Sequence, residues 1–140
     1  MITPKQKTTS LPTLIKELDT VFSLFIRLRD ADERGTVTCF VTGEKVWWKD
    51  SDAAHFIPRG IMPTRYNERN VHACTKESNQ FDEHHQAMYE KKMIEAYGHN
   101  FVIGLVMESR HLEKFMRHEI EEKIEHYKMQ VSKLKKSKGL

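Results

Sequence analysis

The sequence predicts an α+β domain, and three observations carry that prediction. Apolar residues recur at helical spacing near both ends of the 140-residue chain. Between the ends lies a stretch rich in β-branched residues with a turn signal in its middle. A loop rich in proline and arginine then separates strand-like pieces from another helical segment. The expected architecture is a short β-hairpin and a ββα core, framed by an N-terminal helix and a long C-terminal helix. Residues 1–10 read as a flexible N-terminus and 11–136 as a single domain. Its core spans about 36–98 and its C-terminal helical part about 101–136.

Each element has its own signature. Ser10 can cap a helix with Pro12 in its first turn. Leu14, Leu18, Val21, Phe22, Phe25 and Leu28 then make an amphipathic helix over roughly 11–30. Thr36–Val41 and Lys45–Trp48 flank Thr42-Gly43-Glu44 and read as a hairpin. Adjacent Trp47 and Trp48 should point to opposite faces, one of them into the core. An extended piece follows at about 53–57. Pro58, Gly60 and Pro63 break regular structure up to Asn70, and a brief strand is expected near 70–73. Residues 78–97 read as a helix that Gly98 stops. Residues 101–107 read either as the start of a further helix or as a short buried segment. Leu112, Met116, Ile120, Ile124, Tyr127, Val131 and Leu134 predict one long amphipathic helix. It packs either on its own domain or, as an alternative, on a second copy in a homodimer.

Composition narrows the class. With 39% hydrophobic and 31% charged residues the chain is globular rather than disordered. No apolar run suits a membrane span and the N-terminus carries no secretory pattern, so a cytoplasmic location is expected. The two cysteines, Cys39 and Cys74, are too few for a disulfide scaffold. The net charge of +3 is small, but its placement is uneven. Five lysines and no acid lie between Tyr127 and Leu140. Arg59, Arg65 and Arg69 face a single acid, Glu68, between His55 and Asn70. Both surpluses suit a polyanion such as DNA, although a solubilising tail is the plain reading of the lysines.

The informative stretch runs from Asp52 to His85. It places a histidine on a strand, a proline-and-arginine loop, an asparagine at a strand start and another asparagine opening a helix. His55, Asn70 and Asn79 are the marker positions. This layout is similar to a ββα-metal (HNH) nuclease site. Phosphodiester hydrolysis needs an activated water, and a neutral imidazole can take its proton near pH 7. A divalent cation, Mg²⁺ or Mn²⁺, neutralises charge on the phosphate. Asn79 can give it an amide oxygen, while Asn70 is suited to pinning the loop that orients His55.

More specifically, the residues resemble the NinG (Rap) recombination proteins of phage lambda, a branch of the HNH nucleases. The matching residues are Asp52-Ala53-Ala54-His55-Phe56, Arg59, the run Arg65-Tyr66-Asn67-Glu68-Arg69-Asn70-Val71-His72, Ser78-Asn79 and Tyr97-Gly98. Weaker likeness extends to Phe25–Asp30 and Glu121–Lys135. The resemblance implies metal-dependent cleavage of branched DNA, such as Holliday junctions or D-loops, in phage or prophage recombination within a bacterial host. It implies His55 as general base, Asn79 as metal ligand, Asn70 as the bracing residue, and Arg59 and Arg65 as phosphate contacts. Arg69 joins them by its place in the cluster.

The chain departs from the family pattern twice. The family's two C-x-x-C pairs read here Cys39-Phe40-Val41-Thr42 and Thr75-Lys76-Glu77-Ser78, so no structural zinc is expected. A residual site from Cys39, Cys74 and His72 is the weaker alternative. Packing by Phe40, Trp47 and Trp48 should replace the metal. Ala54 also stands where most HNH sites carry an acid before the histidine. Asp52 is the nearest acid, but in a regular strand it points away from His55 unless a bulge intervenes. His72, Asp82, Glu83 and His84 are the other candidates for a second ligand. Helical geometry allows at most one of His84 and His85 to face the site, and solvent exposure is expected for both. The alternative function is a DNA-binding or assembly module that keeps the scaffold without turnover.

Overall fold

The computed structural model describes residues 9–78, 83–112 and 114–140. The expected ligands Asn79 and Asp82 lie outside the described residues. The first helix, α1, spans Leu11–Asp30. The Ser10 hydroxyl accepts from the Thr13 N–H, and Pro12 occupies the first turn. Leu14, Leu18, Phe22, Phe25 and Ile26 are buried along it at spacings of three, four and one. At its far end the Lys138 ammonium donates to the carbonyls of Leu28, Ala31 and Arg29 at 2.7, 2.6 and 3.1 Å. Those carbonyls lack intrahelical donors, and a cation at a helix C-terminus also suits the helix dipole. Lys138 is therefore a half-buried cap, not part of a solvated tail.

The hairpin strands are β1 (Thr36–Thr38) and β2 (Lys45–Trp47), paired antiparallel. The ladder is shorter than Thr36–Val41 because the chain leaves it at Cys39, and the Phe40 N–H turns to donate to the Ala73 carbonyl. Gly35 precedes β1 at φ +81°, and a Cβ there would lie 2.1 Å from the Trp47 ring, so only glycine fits. Trp48 is buried, in a short 3-10 turn rather than in the strand, and Trp47 is exposed.

Strands β3 (Ser51–His55) and β4 (Val71–Thr75) form an antiparallel ribbon with an unbroken register from Ser51–Thr75 to His55–Val71. The second strand is longer than the expected 70–73. On one face, Ala53, Val71 and Ala73 pack into a core shared with α1 and with α5 (Arg117–Lys138). On the other, Ala54 and Cys74 join Tyr89 and Met93 of α3 (Glu83–Tyr97) and Val102 and Leu105 of α4 (His99–Ser109). Helices thus cover both faces, which explains why all of β4 is buried.

The connection between the strands, where the sequence predicts irregular loop, contains a single helical turn, α2 (Met62–Arg65). Pro63 sits in its first turn, where a missing N–H costs nothing. Residues 101–107 belong to α4. Gly98 stands at the α3–α4 corner with φ +88°, a conformation that favours glycine. The C-terminal stripe begins later than expected. Leu112 and Met116 precede α5 and are exposed, Leu112 at 95%. Ile120, Ile124, Tyr127 and Val131 cover α1 of the same chain, with the Tyr127 ring edge-on to Phe22 at 5.0 Å.

Candidate functional site

His55 ends β3, at the mouth of the loop that α2 interrupts. Its Nε2 lies 2.9 Å from the Arg65 carbonyl. A carbonyl oxygen only accepts, so Nε2 carries the proton and Nδ1 of the neutral ring keeps its lone pair. Burial holds the His55 pKa below its ordinary value; the hydrogen bond to the Arg65 carbonyl and the Asp19 charge oppose this, and the charges of Arg59 and Arg65 add to it. The ring is therefore neutral at pH 7.

The loop is clamped by Asn70, which is fully buried. Its side-chain oxygen accepts from the Ile57 N–H at 2.8 Å. Its amide donates to the carbonyls of Ile57 and Thr64, both at 3.1 Å. One side chain thus ties the start of the loop to α2 and to β4. Arg65 adds a second tie. Its guanidinium donates to both carboxylate oxygens of Asp19 on α1, and the Tyr66 hydroxyl donates to Asp19 at 2.8 Å. Arg65 is thereby engaged in an internal ion pair with Asp19. It acts on His55 through its backbone carbonyl.

His55 borders a cleft of about 210 Å³ between β3 and α1. Asp19, Phe22 and Ser23 form one wall, and Asp52, Ala53 and Arg59 border the other side. Asp52 and His55 reach the same cleft without a bulge. β3 pairs only with β4 among the described residues, so residues from both of its faces border its other edge. Arg59 is exposed at the rim. Arg69 is turned elsewhere, with its guanidinium over the rings of Tyr97 and Phe101 at 5.7 and 5.3 Å.

Helix α3 approaches this end of the ribbon from the opposite face. The Gln86 side chain donates to the Phe56 carbonyl at 2.8 Å, so the first turns of α3 lie beside the residue after His55. Glu83 and His84 in those turns are exposed. His85 is half-buried, within 3.0 Å of the Ser78 hydroxyl, not solvent-exposed as its sequence suggests.

His72 is corrected as a metal candidate. Its Nδ1 lies 2.9 Å from the Tyr89 hydroxyl and its Nε2 lies 2.6 Å from that of Tyr97. Tyr89 donates its own proton to the Ala54 carbonyl at 2.7 Å, so it accepts from Nδ1–H, and Tyr97 donates to Nε2. Neither nitrogen is left for an ion. Phe40 stacks on the ring at 3.8 Å between centroids. Burial lowers the His72 pKa to about 4, with Arg29 adding to the effect. Among the described residues no three His, Cys, Asp or Glu side chains group to hold a metal.

Sequence reasoning missed Asp19 and Tyr89, and it singled out Tyr97 without its hydrogen bond to His72. Asp19 had a signal: it falls in the row Ile15–Asp19–Phe22–Ile26 on the apolar side of α1, where an acid needs a partner. Tyr89 has none beyond its helical spacing. Arg29 and Asp30 also splice α1 to β4, through Arg29 to the Val71 carbonyl at 2.8 Å and from the Ala73 N–H to Asp30 at 2.8 Å.

Neither curated proteins nor solved structures give a match. A family model described as Bacteriophage Lambda NinG protein matches residues 3–137. That span takes in both helical ends, the ribbon and the cleft, and the chain belongs to this phage recombination-related NinG family.

Proposed function

We propose that the cleft between α1 and β3 is the active site of a metal-dependent HNH-type endonuclease that cleaves branched DNA. The observation that carries this reading is the His55 ring, anchored through Nε2 to the Arg65 carbonyl and held neutral beside an open cleft. A neutral imidazole with one nitrogen pinned has the other available as a base. The β–β–α order, with α3 docked beside Phe56, agrees with it.

In this mechanism His55 Nδ1 takes a proton from a water that attacks phosphorus in line. Asn70, Arg65 and Asp19 keep the ring in place by fixing the loop that supplies its carbonyl partner. Arg59 at the rim attracts the phosphate backbone. Asp52 would offer a carboxylate oxygen to Mg²⁺ or Mn²⁺, ions that need few protein ligands, so a sparse ligand set fits. Asn79 would be the second ligand. When bound, the ion would neutralise charge on the phosphate and on the leaving oxygen. Selectivity for branches would come from shape and backbone contacts.

The test uses labelled four-way junction and linear duplex, with Mg²⁺, Mn²⁺ or EDTA, for the native chain and His55→Ala. Metal-dependent junction cleavage lost in the variant is expected. Junction binding without cleavage in any metal would overturn the proposal in favour of a binding module. Buried Ala54, where an acid ligand commonly stands, is the observation that favours that second reading.

A further inference from the structure

Away from the cleft, Cys39 and Cys74 lie 35 residues apart in sequence, yet their sulfurs are 2.6 Å apart. Both side chains are buried. Non-bonded sulfurs do not normally approach so closely, and covalent bonding distance is near 2.05 Å. The pair joins two separate pieces of chain, the turn after β1 and the end of β4, where Cys74 is the last residue but one. Residues that follow each cysteine in sequence, Thr42, Gly43 and Glu44 after Cys39 and Lys76 and Glu77 after Cys74, are exposed.

The two sulfurs are not equivalent. Cys39 Sγ is within hydrogen-bond reach of Cys74 Sγ and of the Ser78 hydroxyl at 3.5 Å, and it accepts from the Thr42 N–H at 3.4 Å. These lower its pKa to about 4, the Cys74 contact contributing most. Cys74 is pushed the other way by sharing its proton with Cys39 and by burial. A thiolate beside a thiol is the reactive arrangement for oxidation. With only two cysteines in the chain, no other thiol competes within it.

We propose that Cys39 and Cys74 are a redox modification site, which a peroxide converts into an intrachain disulfide that staples the hairpin turn to β4. The Cys39 thiolate attacks one peroxide oxygen, the O–O bond breaks and hydroxide leaves, giving a sulfenic acid. The Cys74 sulfur then attacks the Cys39 sulfur. The S–OH bond breaks, and the hydroxyl leaves as water with the Cys74 proton. Two thiols lose two electrons in all, and hydrogen peroxide is reduced to two waters. Closing a loop of this length restricts the unfolded chain, so the oxidised form is the more stable one.

The experiment treats the full-length reduced chain with hydrogen peroxide, then denatures it and adds N-ethylmaleimide. Intact mass should fall by about 2 Da, with no maleimide taken up, as two hydrogens leave on forming one disulfide. The oxidised protein should stay monomeric on a non-reducing gel, and Tm should rise by about 5–15 °C. In Cys74→Ser, dimedone should label Cys39 after peroxide. Retention of two alkylatable thiols, covalent dimers, or no dimedone label on Cys39 would each overturn the proposal. The mass of the native chain decides the matter even if a serine variant does not fold.

Discussion

The two faces of the β3–β4 ribbon each carry a histidine, and the contrast between them is instructive. On the α1 face, His55 has one nitrogen fixed by a backbone carbonyl and lies beside a cleft. On the α3 face, His72 has both nitrogens engaged by tyrosines and a phenylalanine stacked on its ring. Burial keeps both neutral at pH 7. What separates a candidate base from a structural residue here is therefore not pKa. It is whether both ring nitrogens are engaged by neighbouring hydroxyls, as in His72, or one by a backbone carbonyl beside a cleft, as in His55.

Substitutions can break or sharpen this contrast. The largest effect is expected at His55. His55→Ala should lower junction cleavage by at least about a hundredfold, the scale of a lost general base, and leave Tm within a few degrees. His72→Ala should do the opposite, costing about 3 kcal/mol in urea unfolding by opening a cavity and stranding two tyrosine hydroxyls. Equal stability losses at both positions would erase the distinction.

The acid response is comparable in size. His72 titrates near 4 in the folded chain and near 6.5 when unfolded. As pH falls, the unfolded chain takes up its proton first. Its neutral burial is without penalty above about 6.5, and stability drops by about 3 kcal/mol between there and 4, then levels. His55, also lowered, adds to the fall below 6.5. Urea midpoints across this range should show the slope, reduced in a His72→Phe chain.

Asp19→Asn ranks next. It breaks the ion pair that holds Arg65, in a site with little solvent, and should cost about 2 kcal/mol. The same change loosens the carbonyl partner of His55, so cleavage should fall more than binding does. A KM effect alone would argue against positioning. Gly35→Ala should cost about 1–2 kcal/mol, through positive φ and the clash with Trp47, with no effect on chemistry. Chemical denaturation and the junction assay together check both.

Much of the frame was legible from the sequence because it rests on periodicity. Leu14 through Leu28 and Ile120 through Val131 mark their buried faces directly. Leu112 and Met116 continue the spacing by coincidence; a local mark of the start at Arg117 is Glu119, whose side chain accepts from the Met116 N–H. Within the site, the flanking pattern drew attention to His55 and Asn70. The partners that define their roles are 6 to 13 residues away in sequence for these two, while Asp19 lies 46 from Arg65. Tertiary contacts of that kind leave no spacing rule to read. The same limit applied to His72, whose neighbours Tyr89 and Tyr97 become visible only once α3 is docked.

The most direct measurement of the account is ¹⁵N NMR of the His55 imidazole in the native chain at pH 7. The account predicts a neutral ring protonated at Nε2, with Nδ1 unprotonated, and a titration midpoint below 6.5. A ring protonated at both nitrogens at that pH, or one carrying its proton on Nδ1, would contradict it.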